Sequence, residues 1–204
     1  MRSASTLSRR ELLMAGCGAL MGLSVFGLSR PALADGDYFP ENQDLDDVQI
    51  NARSLELYNK YNVGDTLSAS DADFVEQYGM VPGERGTNTV YNSRYYNGAT
   101  YTLSGNRYLN NAYDSTYSYG ATVQGGGSNV TCKSIKVNLY IVVYGYTNGN
   151  YSVIYNNYHT STGYSRSYYT SQFVGNFSGY FTSTTMACST SIVTPDGQTI
   201  ALGE

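Results

Sequence analysis

The amino-acid sequence predicts an all-β protein, an antiparallel β-sandwich preceded by a short acidic helical segment. Three observations support this fold class. The chain has 22 tyrosines and 22 glycines but only 14% charged residues, a composition typical of strands and turns. Its C-terminal part is a succession of short segments separated by turn-forming residues, and the region before it is acidic with helical spacing of apolar residues. We therefore divide the chain into residues 1–34, 35–84 and 85–204.

Residues 1–34 have the pattern of an export signal. Ser8–Leu13 fits the twin-arginine pattern at its serine and at both arginines, Arg9 and Arg10. An apolar run follows, and Ala32 and Ala34 are the small residues that a signal peptidase requires. We expect export by the twin-arginine pathway, cleavage after Ala34, and a secreted or cell-surface protein that keeps no membrane span.

Two other fates of this segment remain open. One is an uncleaved anchor helix, although the apolar run is short for a membrane span. The other is lipidation at Cys17, because Ala15-Gly16-Cys17 resembles the end of a lipobox. Arg10 lies only seven residues before Cys17, however, and leaves little apolar sequence between them.

Residues 35–84 carry twelve acidic and two basic residues, whereas residues 85–204 carry three acidic and six basic ones. This asymmetry indicates two units. Apolar residues at three- and four-residue steps predict a helix in the first unit: Leu45, Val48, Ala52 and Leu55. A second, shorter helix is predicted between a cap at Ser70-Asp71 and a stop at Gly79. The segment is either a solvated helical region or a pro-region that folds over the second unit.

From about Thr87 onward, one predicted strand follows another. The candidates are Thr87–Asn92, Arg94–Leu103, Tyr113–Gln124, Ser134–Tyr146, Tyr151–His159, Tyr164–Ser171, Phe177–Thr190 and a final hairpin of Ser191–Thr194 and Thr199–Leu202. Turn-forming residues separate them at Gly125-Gly126-Gly127, Asn148-Gly149 and Pro195-Asp196-Gly197. Short strands at this spacing favour an antiparallel sandwich over a single open sheet.

The stretch KVNLYIVVYGYTNGNYSVIYNNYH forms the clearest predicted hairpin, because Asn148-Gly149 is a strong turn signal. Centring the turn there pairs Tyr146 with Tyr151, Tyr144 with Val153, and Val142 with Tyr155. Side chains alternate between the two faces of a strand. One predicted face is aliphatic and carries Ile135, Val137, Leu139, Ile141, Val143, Ile154 and Tyr158. The other, which we call the tyrosine face, carries Tyr140, Val142, Tyr144, Tyr146, Tyr151, Val153 and Tyr155.

The aliphatic face belongs in the core of the sandwich, and the tyrosine face has two predicted fates. Left open, it would be a partly apolar patch of the kind that marks an interface. Covered, it would lie beneath the apolar stripe of the acidic helices, since a tyrosine ring can be buried while its hydroxyl stays hydrated. We take its tyrosines as candidate ligand- or partner-binding residues: Tyr140, Tyr144, Tyr146, Tyr151 and Tyr155.

Two cysteines remain after the predicted cleavage, Cys132 and Cys188. In an exported protein, such a pair predicts a disulfide. A loop of this length would contribute about 4 kcal/mol to stability. The alternative is a catalytic thiol, which would require one of the two cysteines to be unpaired and activated.

Few residues suit catalysis or metal binding. His159 is the only histidine, and a Ser-His-Asp site would need it beside a serine and either Asp114 or Asp196, with no nucleophile-elbow pattern in support. Without a His/Cys ligand set we expect no metal and no cofactor. A pI near 4.9 and the lack of a basic stripe exclude nucleic acid as a partner.

The region from about Tyr101 to Leu202 resembles the small exported β-sandwich proteins of Gram-positive, and especially actinobacterial, bacteria. The sequences that carry this resemblance are SRRELL in the signal, the alternating KSIKVNLYIVVY, and the serine-, threonine- and tyrosine-rich strands after it. The resemblance implies a fold and an extracytoplasmic location, and it implies no chemistry.

These observations predict an exported, non-enzymatic binding or interaction protein that uses a tyrosine-rich sheet face. Its partner is expected to be a glycan or a surface protein, since tyrosine rings stack on sugars and amide and hydroxyl side chains hydrogen-bond to them. Two alternatives stay open: a bacteriocin-like protein or toxin with an acidic pro-region, and a secreted hydrolase.

Overall fold

A computed structural model describes residues 38–81, 88–111 and 115–203. Within these ranges, two α-helices precede eight strands that form two antiparallel sheets, which confirms the predicted sandwich and the helical segment before it. The helices are α1 (Asp47–Lys60) and α2 (Ala69–Tyr78). The strands are β1 (Asn88–Tyr96), β2 (Ala99–Asn111), β3 (Thr116–Gly127), β4 (Cys132–Thr147), β5 (Asn150–Arg166), β6 (Tyr168–Ser178), β7 (Ser183–Val193) and β8 (Thr199–Leu202).

The strands divide into two four-stranded sheets. Sheet I has the order β1-β2-β3-β6, and sheet II has the order β5-β4-β7-β8. Alternating side chains of both sheets meet in one core, which includes Leu103 and Tyr119 from sheet I and Ile135, Leu139 and Ile141 from sheet II. All five of these side chains are almost completely buried. As predicted, the aliphatic positions of β4 form the inner face of sheet II.

Some strand boundaries differ from the prediction at glycines. Asn97 and Gly98 both have positive φ and turn the chain between β1 and β2, inside a segment predicted as one strand. Gly179, with φ of 120°, likewise lies between β6 and β7. Gly125-Gly126-Gly127, predicted as a separator, instead belongs to β3. At Gly126, the neighbouring Tyr168 ring occupies the space that a side chain would need.

Side-chain capping hydrogen bonds define where both helices begin. Asp46 accepts a hydrogen bond from the backbone N–H of Gln49, and the Gln49 side chain accepts one from the backbone of Asp46, forming a capping box at the start of α1. The Ser68 side chain caps α2 by accepting from the N–H of Asp71. Gly79 follows the last residue of α2, as predicted.

Backbone hydrogen bonds join the helical segment to sheet II at two places, the edge strand β5 and the part of β7 that β8 does not pair with. Between the helices, the N–H of Leu67 donates to the carbonyl of Tyr151 at 2.9 Å, and the N–H of Val153 donates to the carbonyl of Asp65 at 3.0 Å. After α2, Met80 and Thr184 exchange two hydrogen bonds at 2.8 and 2.9 Å. The described residues from Phe39 onward therefore form one compact unit, with the acidic segment built into the sandwich.

Asn51 of α1 enters the sandwich where β8 ends. It is completely buried, and its Nδ2 donates to the carbonyls of Cys188 at 2.9 Å and Gly203 at 3.0 Å. Its Oδ1 accepts from the N–H of Cys188 at 2.8 Å and from the buried guanidinium of Arg107 at 3.4 Å. Because every one of these groups is buried, Asn51 satisfies polar atoms that water does not reach.

The predicted disulfide between Cys132 and Cys188 is wrong, because both side chains are free buried thiols. Cys132 begins β4, whereas Cys188 of β7 lies opposite Leu139, seven residues further along the same strand. At about 3.3 Å per residue, this offset separates them by roughly 23 Å, far beyond the span of a disulfide. Burial raises the pKa of the Cys132 thiol, and it raises the pKa of the Cys188 thiol to about 11, so both remain protonated at neutral pH.

Candidate functional site

The hairpin of β4 and β5 follows the predicted register only near its turn. Thr147 lies opposite Asn150, with Asn148 and Gly149 at φ of 52° and 81° between them, the conformation of a two-residue turn with positive φ at both positions. Tyr146 pairs with Tyr151, and Tyr144 pairs with Val153, as expected. Beyond this point, the register shifts by one residue between Val143 and Tyr144.

This β-bulge moves Tyr155 to the opposite face of the sheet. Val143 pairs with Tyr155, so Ile154 is the additional residue on β5. Tyr155 packs against the core beside Phe177, with ring centroids 5.7 Å apart. Tyr158, predicted on the aliphatic face, pairs with Tyr140 and lies on the outer face instead. The prediction that placed Tyr155 on the tyrosine face is therefore wrong, because one inserted residue inverts every later side chain.

The helical segment covers the part of the tyrosine face nearest the turn. Tyr144 is completely buried and Tyr151 is 7% exposed. A second hydrophobic cluster surrounds them, formed by Leu57, Tyr61, Leu67, Ala72, Phe74, Val75, Val142 and Val153. The Tyr144 hydroxyl hydrogen-bonds to Thr185 Oγ1 at 2.8 Å, and the Tyr151 hydroxyl accepts from Thr182 Oγ1 at 3.1 Å. Burial raises the pKa of both phenols, so they remain neutral.

Asp71 holds the two helices of this cover together. Its side chain is completely buried and accepts from Arg53 at 2.5 Å, Lys60 at 2.6 Å, the Tyr61 hydroxyl at 2.6 Å and Ser68 Oγ at 2.7 Å. Burial alone would raise the pKa of Asp71, but the hydrogen bonds from Lys60, Tyr61 and Ser68 and the charge of Arg53 hold it below its ordinary value. The carboxylate therefore stays ionised beneath the helices.

The remaining candidate tyrosines lie at the margins of the helical cover. Tyr140 is half-buried between Tyr58 of α1 and Tyr158 of β5, at centroid distances of 4.9 and 5.7 Å. Tyr146 packs on Tyr151 at 5.3 Å and is 40% exposed. The five tyrosines proposed from sequence thus occupy the buried interface, the inner face and two separate margins. They do not form one accessible surface.

The outer face of sheet I carries polar and tyrosine side chains that are exposed on the edge strands β1 and β6 and mostly half-buried on β2 and β3. Here every second residue of each strand points away from the core, and none of these residues is charged in the part of the chain that the structure describes. We call this surface the platform. Apart from glycines, it comprises Thr89, Tyr91, Ser93 and Tyr95 of β1, Thr100, Thr102, Ser104, Asn106, Tyr108 and Asn110 of β2, Thr116, Ser118, Thr122 and Gln124 of β3, and Tyr168, Thr170, Gln172, Val174, Asn176 and Ser178 of β6.

Two platform tyrosines lie over glycines of the central strand β3. The end of the Tyr108 ring lies so close to Gly120 that no side chain fits there, and the Tyr168 ring covers Gly126 in the same way. Each tyrosine is directly opposite its glycine in the strand pairing. A ring that lies across a glycine packs on the backbone beneath it, so a ligand would contact only the outer face of that ring.

Tyr91 and Tyr95 stand on the edge strand β1 and are 60% and 73% exposed. They face Ser104 and Thr100 across the strand pairing. The platform therefore combines exposed aromatic rings with hydroxyl and amide groups that both donate and accept hydrogen bonds.

Sequence reasoning missed the platform, although a signal for it exists. In TYTLSGNRYLNN, the positions between buried Tyr101, Leu103 and Leu109 are threonine, serine, asparagine and tyrosine. This period-two pattern marks a strand with one solvated face. β3 has the same alternation, with Tyr119, Ala121 and Val123 buried between polar positions. The sequence does not show, however, which strands pair, so it does not show that their polar faces adjoin.

His159 of β5 forms a contact between the two sheets and does not lie in the Ser-His-Asp arrangement considered from the sequence. Its Nε2 lies 3.0 Å from the hydroxyl of Tyr119, which also hydrogen-bonds to the Tyr155 hydroxyl and accepts from Asn157 Nδ2, both at 3.1 Å. Burial, and then the contact with Tyr155, raise the pKa of the Tyr119 phenol. Asp196 instead accepts from the Tyr96 hydroxyl at 3.0 Å, and Asp114 lies outside the described residues.

The predicted export signal cannot be compared with the structure. The predicted signal residues Arg9, Arg10, Ala32 and Ala34 lie outside the described residues.

Among the described residues there is no group of three or more histidine, cysteine, aspartate or glutamate side chains that could hold a metal ion. No helix in the described part of the chain is both long enough and apolar enough to cross a membrane. Comparison with known proteins finds no matching family model and no matching curated protein.

Proposed function

We propose that the protein is an exported, non-enzymatic binding protein that holds an uncharged polysaccharide on the platform. The observation that carries this proposal is the composition of that surface, on which exposed tyrosines alternate with serine, threonine, asparagine and glutamine and no described residue is charged. Export rests on the signal-like sequence of residues 1–34.

The chemistry of the platform suits a neutral sugar polymer. A pyranose ring has an apolar face that packs on an aromatic ring, and its hydroxyls need partners that donate and accept hydrogen bonds. A charged ligand would lose hydration on this surface without gaining an opposite charge. Tyrosines distributed over β1, β2 and β6 would contact several sugars of an extended chain.

The helix-covered tyrosine face does not serve as the binding surface in this proposal. Tyr144 and Tyr151 are enclosed by the second hydrophobic cluster, and a ligand could reach them only if the helices moved away. Asn51 opposes such movement through its hydrogen bonds to Cys188 and Gly203. The backbone hydrogen bonds of Leu67 to Tyr151 and of Met80 to Thr184 oppose it as well. We therefore propose that residues 38–81 stay with the mature protein, in contrast to the removable pro-region of a toxin.

Affinity electrophoresis tests the proposal. The secreted chain is expected to be retarded in gels that contain a neutral soluble glucan from the cell wall and to migrate normally with an anionic polysaccharide of similar size. The double variant Tyr91→Ser, Tyr95→Ser is expected to lose at least tenfold in affinity. Tyr164→Ser is the matched control, because Tyr164 is 68% exposed on β5 of the other sheet.

Two results would overturn the proposal. One is that no neutral polysaccharide retards the secreted chain while a surface protein or an anionic polymer does. The other is that the Tyr91, Tyr95 double variant binds as well as the Tyr164 control while both remain folded by circular dichroism.

A further inference from the structure

β6 is an edge strand of sheet I without the features that usually prevent an edge from pairing with another strand. Its partner is β3, and no other described segment pairs with its second side. Its sequence, YYTSQFVGNFS, has no charged residue and no proline, and its pairing with β3 has no bulge. Natural edge strands are normally interrupted by charges, prolines or bulges or covered by other segments.

The other three edges carry such protection. β1 has an exposed arginine, Arg94, and α1 packs beside it. β5 pairs with residues 64–67 near the hairpin and has the bulge at Ile154. β8 is only four residues long. An uninterrupted and uncharged edge thus occurs at β6 alone among the edges of the two sheets that the structure describes.

The exposed side chains of β6 are complementary to a second copy of the same strand. Val174 is one of the two central outward-facing positions of the strand and is 62% exposed. An antiparallel pairing centred on Val174 sets this valine against its own copy, Gln172 against Asn176, and Thr170 against Ser178. On the inner face, the same register sets Phe173 against Gly175. On the outer face, each apolar side chain therefore lies opposite an apolar one, each amide opposite an amide and each hydroxyl opposite a hydroxyl. No two like charges are brought together.

We propose that two copies of the protein pair through β6, antiparallel and centred on Val174. Pairing joins the two copies of four-stranded sheet I into one continuous sheet, satisfies the outward backbone groups of both edges, and buries the two valines against each other. The two platforms then lie side by side on one surface. The pairing does not depend on whether the platform binds a polysaccharide, because it is made by the backbone groups of the strand edge and by β6 side chains that contact their own copies.

Cysteine crosslinking tests the register. Opposite residues of an antiparallel pair have Cα atoms about 4.5–5.5 Å apart, within the range of a disulfide. Val174→Cys is therefore expected to form a covalent dimer under mild oxidation. Gln172→Cys is the matched control, since in this register each Gln172 lies opposite Asn176 and roughly 13 Å along the strand from its own copy. The natural Cys132 and Cys188 are buried and do not compete.

Sedimentation velocity tests the dimer itself. The secreted chain is expected to sediment as a dimer, and Val174→Lys is expected to raise the dimer dissociation constant at least tenfold by bringing two lysines together. Thr122→Lys places the same charge on the central strand β3 of the same face and is expected to leave the dimer intact. A monomer at all accessible concentrations, a dimer that Val174→Lys does not weaken, or equal crosslinking of the two cysteine variants would each overturn the proposal.

Discussion

The side chain of Asn51 pairs with both backbone groups of Cys188, as a neighbouring strand would. Its Oδ1 accepts from the N–H of Cys188 at 2.8 Å, and its Nδ2 donates to the carbonyl of the same residue at 2.9 Å. β8 pairs with β7 only from Thr190 onward, so the amide of a helix residue continues the pairing where the strand has ended.

Replacing Asn51 with alanine is expected to lower the free energy of unfolding by about 3 kcal/mol, because both buried backbone groups of Cys188 lose their partner. Urea unfolding followed by circular dichroism measures this change. Asn59→Ala is the matched control in the same helix, where the asparagine is exposed. It is expected to be neutral or slightly stabilising, since alanine favours helices. Equal effects of the two substitutions would contradict the role of Asn51.

Replacing Asp71 with asparagine is expected to cost about 3 kcal/mol, because Arg53 and Lys60 lose a buried carboxylate partner. The pKa of Asp71 is lowered in the folded protein. Its contribution to stability is therefore complete above the unfolded pKa of about 4 and is lost as the pH falls through the lower folded pKa.

The difference in unfolding free energy between the wild type and Asp71→Asn should consequently shrink as the pH is lowered from 7 towards about 2. Glu56→Gln is the control, since Glu56 pairs with Arg53 but is largely exposed, and it is expected to cost well under about 1 kcal/mol. A pH-independent difference for Asp71→Asn would mean that its carboxylate is not the stabilising group.

Replacing Tyr144 with serine is expected to destabilise the protein by about 3–5 kcal/mol, because it empties a large site in the second hydrophobic cluster. Tyr144→Phe should cost only about 1 kcal/mol, since it removes the hydrogen bond to Thr185 and keeps the ring. Thermal denaturation measures both variants. If Tyr144→Ser instead weakened polysaccharide binding and left stability unchanged, Tyr144 would belong to a ligand site rather than beneath a helical cover.

Cys132 and Cys188 are expected to remain unreactive towards a thiol reagent in the folded, secreted chain and to react as two free thiols once it is unfolded in urea. A reducing agent should leave the melting temperature unchanged. If no free thiol is released on unfolding, and reduction lowers the melting temperature, the two cysteines are bonded and the register between β4 and β7 differs from that described here.

The hairpin shows how far sequence reasoning extends in this protein. Asn148-Gly149 determines a two-residue turn, and the pairs beside it follow directly from that geometry. The bulge at Ile154 has no comparable signal, because its residues are ordinary strand formers and it is selected by the packing of Tyr155 on Phe177 and of Tyr158 on Tyr140. The disulfide prediction failed for a similar reason, since separation along the chain contains no information about strand register.

The fold class was predictable because alternation and turn residues are local properties, whereas the platform depends on which strands become neighbours. β3 and β6 pair across a long intervening segment that itself forms β4 and β5. No local pattern indicates that Gln124 will adjoin Thr170. The helical cover was partly predictable. The apolar stripe of the helices and the tyrosine face could each be recognised in the sequence, but only the structure shows that they contact each other.

Ionic strength should have little effect on either the platform or the helical cover, for two different reasons. Salt screens interactions between charges, and the platform has none among its described residues, so contacts made there are unaffected by the salinity of the surroundings. The ionic cluster that depends on charge is centred on a fully buried carboxylate, Asp71, where screening is weak. An architecture of this kind retains both its shape and its contacts in dilute and in saline media alike.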